Sequence, residues 1–192
     1  MASLLADLLT DLGAAFNRTS ARWYIFGAQA AIVYGTARLT ADVDVTVMFG
    51  NQPVENLIQA LKDEGFETRI TDALSLVEQS RVLPVVHLLS GIPVDIVFGG
   101  PGLEEQFAHR AQNHKLDGVM VPIASSEDII TMKILAGRGK DLDDALAIIM
   151  ARGKQLDLQT IGSTLELLEK TLDRSDLLRT LDDLVHRGII RE

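Results

Sequence analysis

"GTARLTADVDVTV" (Gly35 to Val47) is the stretch on which the rest of the reading turns. Val43, Val45 and Val47 alternate with Asp44 and Thr46, the period-two pattern of a β-strand. Aspartate is depleted in strands, yet Asp42 and Asp44 sit one residue apart here. Residues i and i+2 of a strand point to the same face, so the two carboxylates project together. If that face is solvated, the pair simply decorates an edge strand. If it is enclosed, the two charges repel, and a cation between them removes the conflict. Hard cations such as Mg²⁺ take oxygen ligands, commonly one or two carboxylates together with substrate phosphates.

A third acid strengthens the cation reading. Asp95 lies inside "IPVDIVF" (Ile92 to Phe98), in the middle of an apolar run. A lone buried charge there carries a large desolvation cost unless it is paired. If the two runs are neighbouring strands, Asp95 joins Asp42 and Asp44 around one site. Such a trio can hold two metal ions about 3.5–4 Å apart and support in-line phosphoryl chemistry.

The bulk composition fits a globular protein. The chain has 192 residues, 47% of them hydrophobic and 23% charged, enough apolar content for a proper core. Its net charge of −9 works against non-specific nucleic-acid binding, which rests on Lys and Arg. There is no cysteine, so there is neither a disulfide framework nor thiolate chemistry, which is compatible with a cytoplasmic location. At the N-terminus Leu4, Leu5, Leu8, Leu12 and Ala15 recur at helical spacing, interrupted by Asp7 and Asp11. That reads as an amphipathic helix and not as a signal peptide. No apolar run approaches the roughly 20 residues of a membrane span, and no membrane partner is expected.

Working outward, "WYIF" is a short strand and Ala28 to Tyr34 a helix. The residues from Arg38 to Asp42 form a polar connection into the strand from Val43 to Phe49. "VENLIQALKDEGF" is a helix with Val54, Leu57, Ile58 and Leu61 on one face. "RVLPVVHLL" and "IPVDIVF" read as a hairpin closed tightly at Ser90–Gly91. Pro84 and Pro93 mark strand starts, edges or bulges. "GGPG" is a break, followed by a helix in "LEEQFAHRA" and a last strand in "VMVPIAS". Ser125 with Asp128 resembles a capping box for the next helix, which "GRG" closes. Helices follow in "KDLDDALAIIMARG", around Leu158 to Leu172 and around Ser175 to Arg187. The expected class is α/β (α+β): a small mixed sheet with flanking helices over residues 1–122, then a helical region over 123–192 packed on that core.

These residues carry a resemblance. "FGAQAAIVYGTARLTADVDV" followed by "PVDIV" resembles the nucleotidyltransferases of the DNA polymerase β superfamily. It is closest to their small bacterial branch, which includes abortive-infection toxins of the AbiEii type. The pattern is a glycine-led helix start after a strand, an Arg-x-Thr-x-Asp-x-Asp segment and a later Asp on a strand. Gly27, then Arg38, Thr40, Asp42 and Asp44, then Asp95 match it in order. A Lys on a later helix and a Lys-Asp pair with another Asp three residues on match Lys133, Lys140, Asp141 and Asp144 in "TMKILAGRGKDLDDA". The likeness covers about Trp23 to Met150. It departs at the helix start, where the family has Gly-Gly or Gly-Ser and this chain has Gly27–Ala28–Gln29.

The resemblance implies the polymerase β-like nucleotidyltransferase fold and transfer of a nucleoside monophosphate from a nucleoside triphosphate to an acceptor hydroxyl. The acceptor is an RNA, a protein or a small molecule. Asp42, Asp44 and Asp95 are implied as catalytic residues and as ligands of Mg²⁺ or Mn²⁺. Gly27, Ala28 and Gln29 are implied to meet the phosphates, Gln29 offering a donor in place of the missing serine. Lys133 would reach the β- and γ-phosphates, Arg38 would pair with a phosphate or brace the aspartates, and Thr40 would brace the loop. Lys140, Asp141 and Asp144 would border the cleft. The likeness also implies a toxin–antitoxin or defence context, with a cognate antitoxin as partner.

Blander readings stand beside these. Arg38 can be a surface loop arginine, and Asp141 and Asp144 solvated acids favoured by a helix start. His87 reads as a satisfied core or edge residue. "GRGKD" lacks the hydroxyl residue and upstream glycine of a phosphate loop. The whole chain can instead be a catalytically weak nucleotide- or partner-binding regulatory module, a reading Ala28 favours. Its leucine-rich C-terminal helices can also serve as an interaction surface.

Overall fold

The structure is a computed structural model that describes residues 3–37 and 40–189. In chain order the elements are α1 (Leu4–Arg18), β1 (Arg22–Phe26), α2 (Gly27–Val33), β2 (Val43–Met48), α3 (Val54–Asp63), β3 (Phe66–Thr68), α4 (Ala73–Ser80), β4 (Val82–His87), β5 (Pro93–Phe98), α5 (Leu103–Arg110), β6 (Gln112–Leu116), β7 (Val119–Ile123), α6 (Ser126–Ala136), α7 (Gly139–Arg152), α8 (Leu158–Leu172) and α9 (Leu177–Ile189). They divide into two compact units. The first holds all the described strands with α1, α3, α4, α5 and the first turn of α2; the second holds the rest of α2 with α6 to α9. The expected class, a mixed sheet with flanking helices followed by further helices, is what forms.

In the first unit, seven strands form one mixed sheet in the order β3-β4-β5-β2-β1-β7-β6. β2 pairs in parallel with β5 and antiparallel with β1. β7 joins β1 in parallel. Val43, Val45 and Val47 of β2 with Val94 and Ile96 of β5 line the buried side of the two central strands with apolar side chains. α1 supplies Leu8, Leu9, Leu12, Ala15 and Phe16 to the core, and packs against α3 and β7. Ser3 caps α1, its hydroxyl accepting from the Ala6 N–H at 3.1 Å. The expected satisfied histidine is found at the end of β4. His87 is buried, with Nε2 3.0 Å from Asp11 of α1 and Nδ1 2.9 Å from the Ser90 hydroxyl.

Several sequence expectations change. The helix over "VENLIQALKDEGF" stops at Asp63, because Gly65 turns with φ of +81° and Phe66 opens β3. Ser90–Gly91 is not a two-residue turn, since residues 88–92 connect β4 to β5. "DALSLVEQS", read as no element, is α4 capped by Asp72. "QNHKL" is β6, joined to β7 by Asp117–Gly118, both at positive φ, the signature of a type I′ hairpin. Pro84 lies within β4 where β3 ends. The Arg69 N–H donates to the Pro84 carbonyl at 2.9 Å, and the missing proline N–H gives Arg69 nothing in return.

In the second unit, α6 packs against α7 and α8, and α9 against α7 and α8. Ser125 caps α6, accepting from the Asp128 N–H at 3.1 Å. Gly137 ends the helix in the left-handed region, φ +66°. No helix among the described residues is long and apolar enough to cross a membrane.

Candidate active site

The register of the first unit's sheet sets one row of residues. Phe26 on β1 stands opposite Asp44 on β2, Asp44 opposite Asp95 on β5, and Asp95 opposite Pro84 on β4. Arg69, bonded to Pro84, extends the row just past β3. Asp44 and Asp95 are therefore nearest neighbours on adjacent strands, separated by the inter-strand spacing of about 4.8 Å. Both belong to the alternate set of positions, away from the fully buried valines and isoleucine. Asp44 is half-buried, and 39% of the Asp95 side chain is exposed. α5 lies against β1 and β2.

Asp42 precedes β2 by one residue and is exposed. The Thr40 hydroxyl donates to its Oδ1. Arg38 falls outside the described residues.

Gly27 packs directly against Asp44. It has φ of +67°, and a Cβ built there would overlap the Asp44 carboxylate, 2.7 Å from its Cγ. Only glycine combines that backbone conformation with that approach. Ala28 and Gln29 follow with 6% and 9% of their surfaces exposed.

On Asp95 sits a cation that the sequence reading missed: the Arg69 guanidinium pairs with its Oδ1. The residue stands in a polar run, "ETRIT", with no motif around it. Its position follows only from the β3–β4–β5 register. Among the described residues, no group of three or more His, Cys, Asp or Glu side chains is arranged to hold a metal ion.

The second unit holds the other sequence candidates. The Lys133 ammonium, near the end of α6, donates to Asp141 at 3.0 Å and to Asp144 at 2.7 Å, both on α7. Asp141 and Asp144 lie three residues apart on one helix face. Lys133, Asp141 and Asp144 are 7%, 1% and 6% exposed, which overturns the solvated-acid alternative for the two aspartates. Arg138 also pairs with Asp141. Burial pushes the Asp141 carboxyl up, but the hydrogen bonds and charges of Arg138 and Lys133 outweigh it and hold the group below the usual carboxylate range. Lys140 is exposed at the start of α7.

No family model and no curated protein matches the chain. Solved structures are similar in fold. The solution structure of the antibiotic-resistance factor ANT(2'')-Ia matches with a TM-score of 0.61 at 13% identity, covering 90% of this chain and 97% of that one. An antigenic nucleotidyltransferase-like protein from Paracoccidioides brasiliensis matches at 0.54 and 20% identity, over 90% and 91% of the two chains. The lincosamide antibiotic adenylyltransferase LnuA, in a lincomycin-bound crystal structure, matches at 0.50 and 16% identity, over 74% and 94%. The chain thus has the nucleotidyltransferase fold.

Proposed function

We propose that this protein transfers a nucleoside monophosphate from a nucleoside triphosphate to an acceptor hydroxyl, using Asp42, Asp44 and Asp95 and a divalent cation, Mg²⁺ or Mn²⁺. The observation that carries the proposal is the placement of Asp44 opposite Asp95 on adjacent parallel strands, with Gly27 packed on Asp44. Asp44 and Asp95, opposed on adjacent strands, offer the two carboxylates that a hard cation takes together with substrate phosphates, and a positive group, the Arg69 guanidinium, rests on Asp95. Bound there, the cation would supply Lewis-acid stabilisation of phosphate charge.

The chain's own residues have distinct tasks. Asp42 and Asp44 would hold the cation from the β2 side and Asp95 from the β5 side. A carboxylate has two oxygens, so Asp95 can face the cation with one and take the acceptor hydroxyl's proton with the other. The acceptor oxygen bonds to the α-phosphorus, the bond from that phosphorus to the α–β bridging oxygen breaks, and pyrophosphate leaves with the electron pair. Gly27, Ala28 and Gln29 would bring backbone N–H groups to the phosphates beside Asp44. Arg38 would take part in phosphate or aspartate contacts.

Lys133 would act differently from its expected phosphate role. Both its acidic partners lie in its own unit, so it would fix the α6–α7 pair. Lys140 is left as the exposed basic residue of that segment.

A small molecule is the favoured acceptor class. LnuA is a lincosamide adenylyltransferase, and a net charge of −9 works against a broad RNA surface. RNA and protein acceptors, and a defence context with a cognate antitoxin in the cytoplasm, rest on the motif resemblance alone. The test incubates the protein with Mg²⁺ and each α-labelled triphosphate, with aminoglycosides, lincosamides, total RNA and total protein as acceptors. An Asp42→Ala/Asp44→Ala double variant runs beside it. Label transfer that needs both aspartates is expected. A complete absence of transfer by the wild type would sink the enzyme reading, and transfer that survives in the double variant would sink the site.

One observation favours a second reading. Asp95 is held by Arg69 and Asp42 by Thr40, as suits a module that binds a nucleotide without turning it over. Under that reading the labelled triphosphate binds and is never transferred.

A further inference from the structure

We propose that Arg69 is a positioning residue that competes with the divalent cation for Asp95, so that cation binding requires its guanidinium to leave the carboxylate. The inference rests on the metal-dependent reading above. Three observations carry it. First, Arg69 belongs to the same cross-sheet row as the two acids. Its N–H meets Pro84, Pro84 stands opposite Asp95, and Asp95 stands opposite Asp44. Second, its guanidinium pairs with Oδ1 of Asp95, so the carboxylate already carries a positive partner. Third, the pair is open, with 38% of the Arg69 and 39% of the Asp95 side chain exposed. Such a pair is weak and exchanges readily. A compact divalent ion can displace a guanidinium that a buried, water-excluded pair would retain.

Backbone geometry places the arginine at this point. β3 stops at Thr68 because Pro84 cannot return a hydrogen bond to Arg69. Arg69 is therefore the first residue freed from the ladder, its main chain tied at one end only. Its side chain can swing away from Asp95 without breaking the sheet. A guanidinium released beside bound phosphates would have a bidentate partner waiting for it.

The test measures Mn²⁺ binding to the nucleotide-free protein by electron paramagnetic resonance, for wild type, Arg69→Gln, Arg69→Lys, Asp44→Asn and Arg69→Gln/Asp95→Asn. Thermal melts confirm that each variant is folded. Removing an exposed ion-pair partner corresponds to a change of about two- to fivefold. Arg69→Gln is expected to bind Mn²⁺ tighter by that factor, with Arg69→Lys closer to wild type, and the gain is expected to vanish when Asp95 is also replaced. Equal or weaker binding by folded Arg69→Gln, with binding still lost in Asp44→Asn, overturns the competition and leaves the metal site standing. A gain that survives in the double variant also overturns it, because Asp95 is then not the shared ligand. No Mn²⁺ binding by wild type or by Arg69→Gln overturns both the competition and the metal-dependent reading beneath it. If Arg69→Gln does not fold, Arg69→Met, which also removes the charge from Asp95, takes its place: the same gain is expected, and binding no tighter than wild type overturns the proposal.

Discussion

Asp44 and Asp95 stand opposite each other in the parallel register of β2 and β5, and Gly27 packs on the first of them. The arrangement puts two carboxylates on neighbouring strands and leaves both partly accessible.

Gly27→Ala is expected to disturb Asp44 directly. The new methyl group would overlap the carboxylate, and the backbone at φ +67° disfavours any side chain. The left-handed conformation alone costs roughly 1–2 kcal/mol, which chemical denaturation would detect. Transfer is expected to fall by about 100-fold, as for a reacting group misplaced by about an ångström. A variant as stable and as active as wild type would refute the close approach.

Lys133→Met is expected to weaken the second unit severely. It leaves Asp141 and Asp144 facing each other, 1% and 6% exposed, without their shared cation. Breaking a buried pair from one side costs about 3–5 kcal/mol. Arg138 remains on Asp141 and keeps the loss toward the lower end. Urea denaturation measures it, and a change within experimental error would show that the cluster is not structural.

Stability should depend on pH at both ends of the range. The Asp141 carboxyl is held below its ordinary value in the fold. Its contribution is therefore full above the ordinary carboxylate pKa near 4 and drains as pH falls through the lower folded value. Tyr34 works in the opposite direction. Burial pushes its phenol up to about 12, against the lowering charge of Arg152. Its contribution is full below the ordinary value of 10.0 and is lost as pH rises through about 12. Denaturation midpoints across pH check both: Asp141→Asn should flatten the acid limb and Tyr34→Phe the alkaline one.

Much of the fold was legible because its strands and helices bury one side. The valines of β2 and the leucines of α1 carry the periodicity that hydrophobic burial imposes. β6 offered no such signal. Gln112, Asn113 and Lys115 are exposed, and the strand is held by its pairing with β7. Its one local mark was Asp117–Gly118, whose positive φ angles suit a tight hairpin. β3 is three residues long, too short for any alternation to register. The acids of the site were visible because charge is out of place in a strand. Arg69 was not, since an arginine in a polar loop carries no local signal and its place beside Asp95 comes from three strands meeting in register. Lys133 was visible as a residue, but its paired acids could be assigned to each other only once α6 and α7 were placed side by side.

The central claim is that Asp44 and Asp95 together carry nucleotidyl transfer. Its most direct test is the rate of α-label transfer by Asp44→Asn and Asp95→Asn, with the acceptor that the wild type labels and melting temperatures measured alongside. A loss of about 100-fold or more in each folded variant is the predicted result, the scale on which removing one transition-state contact acts. Either variant transferring label within about threefold of wild type would contradict the account.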